Sequence, residues 1–361
     1  MPNILQTTTP VHSEESMRQE RNITRLKEQN AMISVSLFAQ LLSFGAMYLQ
    51  PAAANSAWWA ACLLIIPALL LYALSCAGVR KLSAAAVRSP IFRIVHGICA
   101  LLFTTDMAIY LLSIVELTDA YVLPGASRTL VTLFTLLTVL FSSPAAAPRM
   151  ARFLRMFLFG AFLFGALTVL PSGHSGYLFP WAGYGAYHTL RSAALSCGSI
   201  WSVLTLPLIT LGEDPAILRR TRNYRSVCAP ILLLGLLFLC STLVMPASGL
   251  SGSRGYVMRL QLLMEVSANT LAWSLLLMAE LFLFLTALSS AGTLARSCLK
   301  TALKGKSIPL FPFLLLSAPL ALNGTGVSEP LLIALLPLRY PLALLLAVLC
   351  LLYRPKRKAN A

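Results

Sequence analysis

The feature that most constrains this chain is a repeating pattern of long apolar runs, roughly ten in number, separated by short polar gaps. A hydrocarbon core about 30 Å thick is crossed by a helix of about 20 apolar residues, and only helices or closed barrels satisfy their backbone there. The runs therefore predict membrane-spanning helices. The mean hydropathy of +0.78 also lies outside the range of ordinary soluble domains. We predict an all-α polytopic protein of the cell membrane.

The Lys and Arg residues predict the orientation, because most of the 28 lie in every second gap. Cytoplasmic loops carry an excess of these residues, so the alternation places both termini in the cytoplasm. The formal charge of +16 follows from this topology. It does not indicate a nucleic-acid partner, because no soluble stretch is long enough to gather the basic residues on one face. The predicted partner is the lipid bilayer.

The apolar runs divide the chain into three segments. We predict a polar cytoplasmic tail at 1–30, either disordered or amphipathic, a transmembrane permease-like domain at 31–352, and a basic cytoplasmic tail at 353–361. The predicted spans lie near 32–51, 57–78, 92–117, 127–143, 152–171, 189–211, 228–246, 260–292, 308–322 and 330–352.

Ten crossings with both ends inside divide into two halves of five spans that enter the membrane from opposite sides. Such halves can be inverted repeats, as in LeuT-like transporters. The third and eighth spans would then correspond, and each carries an acid near its middle, Asp106 and Glu280. At about 1.5 Å per residue, both acids lie roughly 20 Å or more from the basic inner flank. Both are therefore expected well inside the hydrocarbon.

A carboxylate at this depth costs at least a few kcal/mol unless it is paired, hydrated or protonated. Three interpretations stay open for Asp106 and Glu280: a proton-carrying acid, a ligand for a substrate amine, or a hydrogen-bonding post between helices. Helical spacing puts Tyr110 on the face of Asp106 and Asn269 on the face of Glu280. We expect these polar stripes to form cavity walls.

The first and sixth spans carry the second set of candidates, because inverted-repeat transporters bind substrates where those two helices are broken. The first span has Gly45 near its centre, and the sixth contains Gly198 and Ser199, followed by Trp201. A helix end inside the membrane leaves backbone groups that can hold a carboxylate or a cation. Small residues at these positions also let helices pack closely.

No motif of an enzyme stands out. The chain has no Ser-His-Asp order, no Gly-rich phosphate loop and no histidine or cysteine pair at metal-ligand spacing. We predict neither catalysis, nor a cofactor, nor a resident metal.

Several short patterns resemble the spore germination permease family, the multi-spanning B subunit of nutrient germinant receptors within the amino acid-polyamine-organocation transporters. The likeness covers about residues 31–352. Its patterns are Tyr121-Val122-Leu123-Pro124 after the third span, Leu170-Pro171 through Leu178-Phe179-Pro180 and Gly183 before the sixth, and Leu206-Pro207 followed by Arg219-Arg220.

This resemblance implies a LeuT-like bundle in the spore inner membrane that works with other receptor subunits to sense an amino acid or a similar small nutrient. The first, third, sixth and eighth spans would line the ligand pocket. The implied ligand-binding residues are Gly45, Asp106, Tyr110, Gly198, Ser199, Trp201, Asn269 and Glu280.

Three functions remain open from the sequence. The first is a ligand-sensing receptor subunit that signals through a conformational change. The second is an amino-acid or amine permease coupled to H⁺ or Na⁺, with Asp106 or Glu280 as the proton site. The third is a structural or assembly membrane protein without a ligand.

Overall fold

A computed structural model of the chain describes residues 11–45, 54–81, 89–141, 146–179, 183–204, 223–244, 270–306, 309–322 and 328–352. These residues are helical apart from short turns, and they contain no strand. We number the α-helices in chain order. They are α1 (Val11–Gln40), α2 (Ala57–Leu63, continuing as Ile65–Lys81), α3 (Pro90–Leu117), α4 (Arg128–Phe141), α5 (Ala146–Val169), α6 (Ala186–Ser196), α7 (Arg225–Val244), α8 (Thr270–Ala302), α9 (Phe311–Leu322) and α10 (Ser328–Leu352).

Six helices in the described part of the chain are long and apolar enough to cross a membrane. They are the apolar lengths of α2, α3, α5, α7, α8 and α10. The helix α4 is apolar but shorter, and α9 has only 12 residues. An integral, all-helical membrane protein is therefore supported, whereas ten crossings and an inverted repeat stay predictions.

The two helices that carry the predicted acids pack together. Helix α3 begins at Pro90 because Ser89 accepts a hydrogen bond from the Phe92 amide and the proline ring fits the first helical position. Among the described elements, α3 and α8 share the most extensive interface. Helix α8 also packs on α5, and α9 packs on α3. The α3–α8 pair therefore forms the main wall of the bundle.

Helix α1 occupies the middle of the bundle. It packs against α5, α7 and α8, and every residue from Ala31 to Leu42 is buried. This stretch includes the polar residues Ser34, Ser36 and Gln40. A buried polar side chain needs a hydrogen-bond partner. The polar side of α1 is therefore expected to face the other polar groups inside the bundle.

The first and sixth helices both lose regular α geometry partway along. Helix α1 passes into a π-helical turn at Leu41–Gly45, and α6 passes into a 3₁₀ segment at Cys197–Leu204. The two irregular segments contact each other, and the 3₁₀ segment also packs on α10. Such mid-helix changes commonly mark functional positions. The sequence predicted breaks in these same two spans.

Several predicted boundaries differ from the observed ones. The described part of helix α8 runs from Thr270 to Ala302, past the predicted end at 292. Helix α1 begins at Val11, so residues 11–30 are helical. The sequence had left disorder or an amphipathic form open for that stretch, because its polar composition carries no apolar period. The division into tails and a central domain stays a prediction.

Candidate functional site

The carboxylate of Asp106 is the focus of a buried polar network. Its Oδ2 accepts hydrogen bonds from Gln40 Nε2 at 2.8 Å and from Trp201 Nε1 at 3.0 Å. Its Oδ1 accepts a hydrogen bond from Arg339 Nη1. These donors come from α1, the 3₁₀ segment and α10, so one carboxylate on α3 joins four elements. Asp106 is 1% exposed, which makes this pairing necessary for a charged group at this depth.

The guanidinium of Arg339 is buried to the same extent. It donates from Nη1 to Asp106 and from Nη2 to Thr105 Oγ1 at 2.7 Å. Its Cζ atom lies 5.9 Å from the centroid of the Trp201 ring, within the range of a cation–π interaction. We call Gln40, Thr105, Asp106, Trp201 and Arg339 the central cluster. Its two formal charges cancel.

Close backbone packing holds Arg339 in this position. A Cβ atom on Gly198 would overlap the carbonyl oxygen of Leu336, three residues before Arg339. The 3₁₀ segment and α10 can therefore touch only because residue 198 has no side chain. Two prolines, Pro337 and Pro341, flank Arg339 within α10. Each lacks the N–H that would bond to the carbonyl four residues earlier, so α10 has fewer backbone hydrogen bonds where it meets the cluster.

Two polar groups in and beside the central cluster have no partner among the described residues. They are Nε of Arg339 and Oγ of Ser202, both buried. The Ser202 backbone amide donates to Gln40 Oε1 at 3.3 Å, which places this residue next to the cluster. An unpaired buried polar atom costs about 1–3 kcal/mol. Both groups can donate a hydrogen bond, so the site offers unused donors to a bound molecule.

Glu280 forms a second buried polar position, on α8. Its side chain is fully buried, and neither carboxylate oxygen has a hydrogen-bond partner among the described residues. One turn further along α8, the Phe284 ring lies 6.3 Å from the Tyr110 ring of α3, centroid to centroid. Glu280 therefore lies at the α3–α8 interface, and it differs from Asp106 because no hydrogen-bond donor in the described part of the chain reaches it.

The structure brings some of the predicted site residues together and separates others. Asp106 and Trp201 share a hydrogen bond, and Gly198 provides the contact to α10. Ser199 donates to the carbonyl oxygen of Ser196 at 2.6 Å within its own segment. Gly45 ends the π-helical turn.

Tyr110 is buried against Phe284, and Asn269 lies outside the described residues. A binding role for each of the predicted residues stays a prediction.

Sequence reasoning missed three members of the central cluster, Gln40, Thr105 and Arg339. A signal for Arg339 was present, because it is a charged residue inside an apolar run, and intramembrane charges mark functional positions by default. Gln40 carried a weaker signal as a polar amide in the first span. Neither Arg339 nor Gln40 could be paired with Asp106 from the sequence, because they lie 233 and 66 residues from it along the chain.

No family model and no curated protein matches the chain. Among solved structures, the chain is similar to the manganese transporter of Eremococcus coleocola in complex with an aromatic bis-isothiourea substituted compound. The TM-score is 0.61 and the identity 16%, over 91% of this chain and 78% of that chain. A histidine-to-alanine and a glutamate-to-glutamine variant of that transporter each give a TM-score of 0.58 and 15% identity at the same coverage.

This likeness shows the fold. The chain has a LeuT-like fold, and the solved structures named above are transporters. Together with the six long apolar helices, this fold supports an integral membrane protein.

Proposed function

We propose that the chain is a permease-like receptor subunit that binds a small nutrient at the central cluster and signals through a change in its helix packing. The nutrient is an amino acid or a similar compound, and the process is spore germination, in concert with other receptor subunits in the spore inner membrane. The short patterns that resemble germination permeases support the process, and the transporter fold supports a solute site inside the bundle.

One observation carries the proposal: within the described ranges, Arg339 Nε and Ser202 Oγ are buried donors without partners next to an ion pair, where α1 and α6 lose regular geometry. A solute with acceptor oxygens satisfies both donors and removes the cost of leaving them unpaired. Arg339 and Asp106 neutralise each other, so the site favours small compounds with acceptor oxygens and no net charge.

The same contacts provide a means of signalling. The central cluster joins α1, α3, the 3₁₀ segment and α10 through single side chains. A ligand that replaces any of these hydrogen bonds with its own changes the packing of the four elements. Because it binds one helix arrangement more tightly than the other, it shifts the populations of the two arrangements, and the partner subunits respond to that shift.

The sharpest test removes one of the unused donors. We expect Ser202→Ala to weaken binding of the nutrient by about tenfold, which corresponds to about 1.4 kcal/mol. Thermal stability should stay unchanged or rise, because the hydroxyl has no hydrogen bond to lose to any residue that the structure describes. The purified protein is screened with amino acids, sugars and nucleosides by ligand-induced shift of its unfolding temperature, and the best compound is titrated against both forms.

Ser241→Ala provides the matched control. Ser241 is equally buried, but its hydroxyl donates to the Leu237 carbonyl oxygen on α7, so its loss should leave affinity unchanged. Equal affinities for wild type and Ser202→Ala would place the solute elsewhere. A protein that responds to no compound, yet is required for receptor assembly, would favour the structural role instead.

Glu280 supports a second candidate function, a proton-coupled permease. A charged carboxylate without a partner at this depth costs at least a few kcal/mol, and a bound proton removes that cost. Loss and gain of a proton at Glu280 would therefore change the packing of α8 against α3. Asp106 is less suited to this role, because Arg339, Gln40 and Trp201 already satisfy it.

We expect Glu280→Gln to abolish concentrative uptake driven by a pH gradient in proteoliposomes, while exchange and binding persist. Glutamine keeps the shape of the side chain and cannot carry the proton. Glu20→Gln, an exposed position on α1, serves as the control and should transport normally. If wild type accumulates no compound that it binds, the permease function fails and the receptor function remains. Uptake by Glu280→Gln at the wild-type level would exclude Glu280 as the proton site.

We do not propose manganese, the cargo of the E. coleocola transporter, as a solute of this chain. Among the described residues, no group of three or more His, Cys, Asp and Glu side chains is placed to hold a metal ion. The one acid of the central cluster is also neutralised by Arg339.

A further inference from the structure

The start of α6 lies at the end of the bundle opposite to the basic end of α2. The hydroxyl groups of Thr189 and Ser56 share a hydrogen bond of 2.6 Å, which places the first turn of α6 beside the start of α2. The apolar span Ala57–Gly78 then separates this end from Arg80 and Lys81. Because basic residues mark the cytoplasmic end of a span, we expect the start of α6 at the outer face of the membrane.

An exposed aromatic surface lies on this part of α6. Tyr184 and Tyr187 are 63% and 70% exposed, and their rings lie 6.4 and 5.5 Å from the ring of His188, centroid to centroid. Leu190 and Arg191 are exposed one turn beyond Tyr187, on the same side of the helix. We call Tyr184, Tyr187, His188, Leu190 and Arg191 the outer patch.

Arg191 gives the outer patch a positive charge that no acid balances. No acidic side chain in the described ranges pairs with it, and no other Asp, Glu, Lys or Arg occurs from 184 to 194. Arg128, the first residue of α4, differs because the Asp119 carboxylate lies 3.5 Å from its guanidinium. The outer patch therefore combines one unpaired cation with two tyrosine hydroxyls and apolar surface.

This combination fits the boundary between lipid headgroups and acyl chains. Tyrosine favours that level, because its ring is apolar and its hydroxyl is polar. A guanidinium can bind two phosphate oxygens with parallel hydrogen bonds, and Leu190 lies deeper along the helix, where the acyl chains begin. A surface built for water would instead carry several charged residues of both signs.

We propose that the outer patch binds the phosphate-bearing headgroup of a phospholipid in the outer leaflet. Arg191 pairs with the phosphate, the hydroxyls of Tyr184 and Tyr187 lie at the level of the glycerol esters, and Leu190 contacts the upper acyl chain. Helix α6 continues into the 3₁₀ segment at Cys197–Leu204. The lipid therefore anchors the helix whose other end reaches the central cluster, whichever solute binds there.

Photocrosslinking tests where the lipid lies. The purified full-length protein is reconstituted alone in liposomes that contain phosphatidylglycerol with a diazirine in its upper acyl chain, and adducts are mapped by mass spectrometry. We expect adducts at Tyr184, Tyr187 or Leu190. Phe164, exposed on α5, should also be labelled and shows that the probe is active. A surface reserved for a partner protein would stay in water and form no adduct.

Arg191→Gln tests the contact with phosphate. The same lipid is added in small molar amount to the protein in detergent, so that the adduct yield reports affinity. We expect several-fold fewer adducts at the outer patch than in wild type, with an unchanged unfolding temperature because the side chain is exposed. Arg128→Gln is the matched control and should keep the wild-type yield. Excess inorganic phosphate should not compete, because it has no acyl chain.

Three results would overturn the proposal. The first is labelling of Phe164 without any adduct at the outer patch. The second is a folded Arg191→Gln protein with the wild-type yield, and the third is competition by inorganic phosphate. If Arg191→Gln does not fold, the map obtained in liposomes decides alone. Failure to find any solute would count against the proposed function and leave this result unchanged.

Discussion

Replacing Asp106 by leucine should destabilise the protein by about 3–5 kcal/mol, the cost of breaking a buried ion pair from one side. The guanidinium of Arg339 would remain buried with no counter-charge, and the Gln40 amide and the Trp201 N–H would lose their shared acceptor. We expect low yield and early thermal unfolding in detergent. The measurement is the unfolding temperature of the purified variant, with size-exclusion chromatography to detect aggregation.

A double variant tests whether charge or volume is responsible. Asp106→Leu combined with Arg339→Met replaces the pair by apolar side chains, and such replacements are often neutral or stabilising. It should therefore recover most of the stability that Asp106→Leu alone loses. Asp119→Asn is the matched surface control, because the Asp119–Arg128 pair is partly exposed with a separation of 3.5 Å and should contribute at most about 1 kcal/mol. A double variant no more stable than the single one would contradict this account.

Gly198→Ala should have the second large effect. The added methyl group would overlap the Leu336 carbonyl oxygen, and a backbone atom cannot rotate away as a side chain does. The 3₁₀ segment and α10 must therefore separate. We expect this to destabilise the protein by about 3 kcal/mol or more, the upper end of the range typical of overpacking. The shift should also draw Arg339 away from Asp106. Thermal unfolding measures the first effect, and loss of solute affinity measures the second.

Gly160→Ala is the appropriate comparison, because a Cβ atom there meets nothing within 4 Å. Gly160 lies on an exposed face of α5, where alanine favours the helix by about 1 kcal/mol over glycine. Opposite signs for the two substitutions would show that the cost at residue 198 comes from the contact with α10. Wild-type stability in Gly198→Ala would mean that α10 does not approach the 3₁₀ segment so closely.

The helical membrane architecture was predictable because it depends on local composition. Runs of about 20 apolar residues must form helices in a bilayer whatever their neighbours are, and α3 agrees closely with its predicted limits of 92–117. The predicted end of α8 at 292 was too early, because the helix continues beyond the apolar run through Arg296 and Lys300 to Ala302. Four of the ten predicted spans are not among the six long apolar helices of the described residues. The number of crossings therefore stays a prediction.

The site was predictable only where one residue carries the signal. The depth of Asp106 in an apolar run identified it, and the small residues of the sixth span identified the irregular segment that holds Trp201. The partnership with Arg339 depends on tertiary packing between α3 and α10, which no local pattern encodes. The rule that intramembrane charges mark functional positions would also have identified Arg339 as a candidate. It would not have identified Asp106 as the partner of Arg339.

The order of synthesis gives the contact between α3 and α10 a further consequence. Asp106 enters the bilayer on α3, whereas its cation is synthesised 233 residues later, on α10. Until α10 inserts, the carboxylate lacks this counter-charge, and an unpaired carboxylate in lipid costs at least a few kcal/mol. Insertion of α10 should therefore be a late stabilising step in the assembly of the bundle.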